Sequence, residues 1–197
     1  MKLFANDAPL KPAKSISQPG TYRWVLALFS AALLLTQLTA AAAEEGVAVA
    51  IVYDTSGSMK ESVRDADGKL AAKYLIANRA LKDIAKQIET FATNNASGEK
   101  RRVDAGLYVF QGNDAREAIK FGPFNAAAIR KFADSFSNPN GSTPLGNAMD
   151  AASRAVLNSP LSRKHVLIIT DGQNTAGPDP SAVFPRLKQQ ATAKGTV

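Results

Sequence analysis

Three short segments of the 197-residue chain carry oxygen-bearing side chains at places where a fold could use them. Asp54-Thr55-Ser56-Gly57-Ser58 follows the apolar run 47–53 (VAVAIVY), and Asp171-Gly172 follows the run 166–170 (VLIIT). Gly141-Ser142-Thr143-Pro144 opens an amphipathic stretch. If the two runs are neighbouring strands of a doubly wound sheet, their carboxyl ends border one crevice, where two carboxylates and three hydroxyls converge. Such an all-oxygen set suits a hard divalent cation: magnesium first, manganese or calcium as alternatives. Each segment also has a plainer reading. The aspartates can form turns at strand ends, and the serines can cap the segment that follows them. Thr143 can cap a helix whose first residue is Pro144, where a missing N–H does no harm. The coincidence of all three segments points to a site.

The elements that must position these residues are legible in outline. The run 47–53 is continuously apolar and rich in β-branched residues, as a strand covered on both faces would be. Residues 73–93 form a helix with Ala77, Leu81, Ile84, Ile88 and Phe91 on one stripe. Residues 103–110 and 115–121 are strands joined through Gly112-Asn113-Asp114, a connection short enough to make them antiparallel. Helices follow over 126–136, with Ile129, Phe132 and Phe136 facing the core, and over 144–157. Residues 166–170 form a fourth strand, buried on both faces by its composition. Residues 181–194 form a last helix, interrupted or started by Pro185, and Thr196-Val197 is the first step of a further strand. Asp65-Ala66-Asp67-Gly68 is a polar turn that lacks the third ligand and the distal Glu of a calcium loop. Alternating strands and helices predict an α/β fold, a doubly wound, mostly parallel sheet with helices on both faces.

The three segments together resemble the von Willebrand factor A family and its metal-ion-dependent adhesion site. The family's D-x-S-x-S stands here as Asp54, Ser56 and Ser58, its separate threonine as Thr143, and its distal aspartate as Asp171. The resemblance covers residues 47 to the end, and it implies an exported bacterial type of the domain. It further implies that Ser56, Ser58 and Thr143 touch the metal, while Asp54 and Asp171 act largely through bound water. Neutral hydroxyl ligands leave most of the ion's charge unquenched, so an Asp or Glu carboxylate of a partner protein can complete the coordination. Family domains continue past the fourth strand, in the order 3-2-1-4-5-6. This chain is therefore expected to be a C-terminally truncated domain over residues 44–197, its fourth strand an open edge available for pairing with another chain.

Catalytic alternatives fare worse. An aspartic protease needs D-[ST]-G, but Ser56 stands where that glycine would be. A serine hydrolase needs a histidine near Ser56; the sole candidate, His165, enters its strand at the opposite end of the sheet. Metal-dependent hydrolysis stays open as an alternative, although no general base, phosphate-cradling loop or arginine cluster accompanies the site. A domain without a competent site is the remaining alternative. The expectation is a binding module, not an enzyme.

Composition fits this reading. Hydrophobic residues make up 45% and charged residues 21%, which excludes a disordered chain, and the absence of cysteine excludes thiolate metal sites. Of the formal charge of +7, Lys2, Lys11, Lys14 and Arg23 against Asp7 supply +3, leaving +4 for the rest. That remainder is too dispersed for nucleic acid, and Lys100-Arg101-Arg102 reads as a solvated loop. Residues 24–38 (WVLALFSAALLLTQL) are apolar, preceded by positive residues and followed by Ala41-Ala42-Ala43. Residues 1–43 are thus a cleaved signal peptide or, with 24–43 spanning the bilayer, an N-terminal membrane anchor. Either places residues 44 onward outside the cytoplasm, in a periplasmic or extracellular setting.

Overall fold

The computed structural model describes residues 43–94, 98 and 100–196. The proposed leader lies outside the described residues apart from Ala43. Among the described residues no helix is long and apolar enough to cross a membrane.

Strand β1, Glu44–Tyr53, is the centre of the sheet. Its apolar run leaves Ala48, Ala50, Ile51, Val52 and Tyr53 fully buried, as expected of a strand packed on both faces. β1 pairs in parallel with β4, Val103–Gln111, on one side and with β6, Leu161–Ile169, on the other. β5, Asp114–Pro123, returns antiparallel to β4, giving the order β5-β4-β1-β6. The turn between β4 and β5 is Gly112-Asn113, with Gly112 at φ 60°, a left-handed conformation that glycine adopts without strain. This is the mostly parallel, doubly wound α/β architecture that the alternation of elements predicts.

Helices cover both faces. α1, Lys73–Thr93, and α2, Ala126–Ser135, lie on the face formed by Val49, Ile51 and Tyr53 of β1. Ala77, Leu81 and Ala85 of α1 and Ile129 and Ala133 of α2 are buried there, and Ile84 and Ile88 pack against them. Tyr53 meets the rings of Phe132 and Phe136 edge-on at 5.5 and 5.4 Å, so both phenylalanines serve the core, as their spacing indicates. α3, Leu145–Asn158, covers the opposite face. There Ala48 and Ala50 of β1 meet Ala148 and Ala152 of α3, all fully buried, and small side chains on both partners let helix and sheet approach closely. α4, Pro180–Ala193, starts with Pro180 in its first turn and runs through Pro185 without a break. It is tied to α3 by Asp150, whose carboxylate pairs with Arg154 at 2.9 Å and with Arg186 of α4 at 2.8 Å.

Several expectations need correction. β6 begins five residues before the run that marked it, and it is not buried on both faces: His165 is exposed and Leu167 is 37% exposed. Because His165 pairs with Val49 and Leu167 with Ile51, both lie on the α1 side, beyond the reach of α1 at this edge of the described sheet. Thr196 is not in a strand; its amide bonds back to the Ala191 carbonyl at 2.8 Å and closes α4, while Val197 lies outside the described residues. The segment around Asp65–Gly68 is a turn, but it joins two short antiparallel strands, β2 (Ser62–Arg64) and β3 (Leu70–Ala72). Arg101 is more than a solvated loop residue. It donates to the carbonyls of Phe91 and Asn94 at the end of α1 and stands 4.6 Å from the Phe91 ring centre.

The segment between β6 and α4 presses on α3 so closely that a Cβ at Gly146 would run into the Pro178 carbonyl oxygen. Gly146→Ala is therefore expected to cost about 1–3 kcal/mol through overpacking. Urea denaturation would show this as a lower midpoint; an unchanged midpoint would contradict the close approach.

Candidate metal centre

The site is assembled by strand register. Tyr53 of β1 pairs with Ile169 of β6, and the amide of Asp54 donates to the Ile169 carbonyl at 2.9 Å. The two strands thus end level, and the next residues, Asp54 on one and Thr170-Asp171 on the other, emerge side by side. After Asp54 the chain turns into a short 3₁₀ segment, Gly57–Lys60, which places Ser58 over the end of β6.

Four of the five expected residues are joined by hydrogen bonds. The Ser56 amide donates to Asp54 Oδ1 at 2.8 Å. The hydroxyls of Ser56 and Ser58 are 3.0 Å apart, and Ser58 Oγ donates to Asp171 Oδ1 at 3.0 Å. Thr143 arrives by docking of its loop: the Gly57 amide donates to the Gly141 carbonyl at 3.0 Å, and the Asn140 amide to the Thr55 carbonyl at 2.8 Å. Gly141 sits at φ 82°, and Thr143, two residues on, is 3% exposed. Thr55, the residue between the signature positions, is nearly buried and donates to the Phe110 carbonyl at the end of β4.

Thr143 is not the cap of α3. Pro144 occupies the cap position with no side-chain bond, and the Gly146 amide in the first turn is reached instead by Asn174 Oδ1 at 3.3 Å. Proline's fixed φ and missing N–H are accommodated one position earlier than expected. Thr143 is held through its backbone by Thr175, whose hydroxyl accepts from the Thr143 amide at 2.8 Å and whose amide donates to the Thr143 carbonyl at 3.0 Å. The Thr143 hydroxyl is therefore not committed to the helix end.

Three further residues belong to this constellation. Thr170 donates its hydroxyl to Asp54 Oδ2 at 2.6 Å, so each oxygen of this fully buried carboxylate has a donor from the chain. The position of Thr170, last in an apolar run and directly before Asp171, is the signal that could have found it. Lys73 at the start of α1 donates to Asp171 Oδ2 at 2.6 Å and to Glu61 Oε2 at 2.6 Å. The bond to Asp171 first, and that to Glu61 second, hold the Lys73 ammonium above the usual lysine range. Nothing local in sequence announces a contact between residues 98 apart.

The two aspartates differ electrostatically. Asp171 has an ammonium partner, whereas among the described residues Asp54 has no ion pair; hydrogen bonds alone support its charge. A fully buried carboxylate without a counter-ion is costly, and a cation bound close by would offset that cost. No three His, Cys, Asp or Glu side chains cluster as metal ligands among the described residues, so a cation here would rely on the hydroxyls as well as the two aspartates. That donor set is oxygen-only and mostly neutral, of the kind that suits a divalent cation.

Comparison with known proteins identifies the family and the fold. A family model for the von Willebrand factor type A domain matches residues 48–194. No match is found among curated protein sequences. Among solved structures, proximal thread matrix protein 1 from the mussel byssus, with a zinc-occupied MIDAS motif, is similar at 19% identity and a TM-score of 0.52. That match covers 76% of this chain and 35% of the other. The vWF domain of the type V pilus tip protein Mfa5 from Porphyromonas gingivalis is similar at 18% identity and a TM-score of 0.50, over 66% of this chain and 39% of that one. This chain thus spans little more than a third of either structure's length, and at these identities the likeness is one of fold. With the family match extending over most of the sequence, and the fold in accord with it, the chain belongs to the von Willebrand factor type A domain family.

Proposed function

We propose that this domain is an exported binding module. Asp54, Ser56, Ser58, Thr143 and Asp171 hold a divalent cation, and that cation recruits an acidic side chain of a partner protein. The observation that carries the reading is the hydrogen-bonded chain Asp54–Ser56–Ser58–Asp171 at the level ends of β1 and β6, with a fully buried Asp54 that lacks a counter-ion among the described residues. Magnesium is the preferred ion, with manganese or calcium as substitutes. When bound, the ion supplies concentrated positive charge at the rim of the sheet. The residues do the rest. Ser56, Ser58 and Thr143 offer neutral oxygens that leave that charge available to a partner carboxylate. Asp54 and Asp171 balance part of it from behind, and Thr170 fixes the orientation of Asp54.

Binding, not catalysis, suits the side chains in place. His165 pairs with Val49, five residues before Asp54, roughly 17 Å of strand from the site. It is not positioned to activate Ser56. Export rests on the apolar segment 24–38 and the alanines after it; pilus and byssus proteins of similar fold make a surface or extracellular setting a consistent one.

A thermal-shift series tests the reading. Binding at about 100 times Kd stabilises by about 2.7 kcal/mol, so magnesium or manganese is expected to raise Tm by roughly 5–10 °C and EDTA to reverse it. Asp54→Ala is expected to abolish the shift. Indifference of the wild-type chain to every divalent ion would end the proposal. Thr170→Val leaves Asp54 Oδ2 without its donor and is expected to cost about 1–3 kcal/mol in the absence of added metal. Denaturation with and without manganese should show that loss partly recovered by the ion; equal loss in both conditions would remove Thr170 from the site.

A further inference from the structure

Lys73 is placed where a helix does not favour it. It is the first residue of α1, where the macrodipole favours negative charge and repels an ammonium. It has no part in capping, since α1 carries no side-chain cap bond at that end. What holds it is the pair of carboxylates, Asp171 and Glu61, each at 2.6 Å. Its own amide also donates to the Glu61 carbonyl at 2.9 Å. The segment from Glu61 through β2 and β3 is therefore pinned at both ends, and the ammonium is fixed, with the Lys73 side chain only 21% exposed.

Both oxygens of Asp171 are engaged as a result. Oδ1 accepts from Ser58 and Oδ2 accepts from Lys73. Any cation drawn to this aspartate meets a unit positive charge already in hydrogen-bond contact with it. At such separations, in a partly buried setting, like-charge repulsion is large enough to change an equilibrium by an order of magnitude or more. Resting on the metal-binding reading above, we propose that Lys73 is an intramolecular competitor for the divalent ion, which keeps cation affinity at Asp171 low and links ion binding to the β2–β3 hairpin through Glu61. A merely structural lysine would stabilise the loop without opposing the ion.

The test is a manganese titration of the full chain, read by electron paramagnetic resonance of the free ion, on wild type, Lys73→Met, Lys73→Gln and Lys73→Arg. Removing the charge is expected to tighten manganese binding about tenfold or more in both neutral variants. The Gln variant serves where the Met variant does not fold, since it can still donate to Asp171. Lys73→Arg keeps the charge and is expected to stay within about threefold of wild type. Equal or weaker binding in the neutral variants, with wild type binding manganese, overturns the competitor role and leaves the metal site standing. Absence of binding in wild type and all variants overturns both.

Discussion

β1 and β6 end level with each other because Tyr53 pairs with Ile169 and the Asp54 amide completes the ladder on the Ile169 carbonyl. A one-residue slip between these strands would move Asp171 away from Ser58 and turn the faces of β6 over. The slip is opposed from both sides of the sheet. Ile169, beside Tyr53, packs against the core cluster on the α1 face, while Val166 and Ile168 pack against the alanine-lined cluster on the α3 face. Burial, far from the chemistry, thus fixes which polar residues meet at the rim.

On that frame the polar residues divide into supports and donors. Thr170, Thr55 and Thr175 spend hydroxyls within the protein, on Asp54, on the β4 carbonyl and on the Thr143 backbone respectively. Ser56 and Ser58 bond to each other and on to Asp171, and Thr143 is freed from capping by Asn174. The two carboxylates are stabilised in different ways, one by buried hydrogen bonds and one by an ammonium, which makes Asp171 the aspartate more open to competition among cations. Tyr53, buried directly before Asp54, donates to Asn78 at 2.7 Å, and its phenol is pushed well above the usual tyrosine range by burial first and the Asp54 charge second. It therefore stays neutral and contributes packing and a fixed hydrogen bond, not charge.

Much of this was legible in the chain. The run 47–53 announced the central strand, the periodicity over 73–93 announced α1 although Phe91 at its end is exposed, and the residue types marked Asp54, Ser56, Ser58 and Asp171, which hydrogen bonds join at the strand ends. What escaped had physical reasons. β2 and β3 are three residues each and mostly exposed, too short for a pattern to show. β6 was truncated because Arg163, Lys164 and His165 look unlike a buried strand; they are tolerated at an edge. Thr143-Pro144 has the residue order of a cap, but a cap is decided by backbone angles, and Asn174, 28 residues beyond Gly146, took that role. Lys73 was invisible because charge partners from different elements leave no periodic trace.

The claim on which the account stands is that side-chain oxygens from three separate segments hold one ion. Crystals grown with manganese would test it most directly through the anomalous difference density. A single strong peak bonded by Ser56, Ser58 and Thr143 oxygens at about 2.0–2.3 Å, with Asp54 and Asp171 behind them, is the expected result. A peak elsewhere, or none at these residues while the strand ends stay as described, would contradict it.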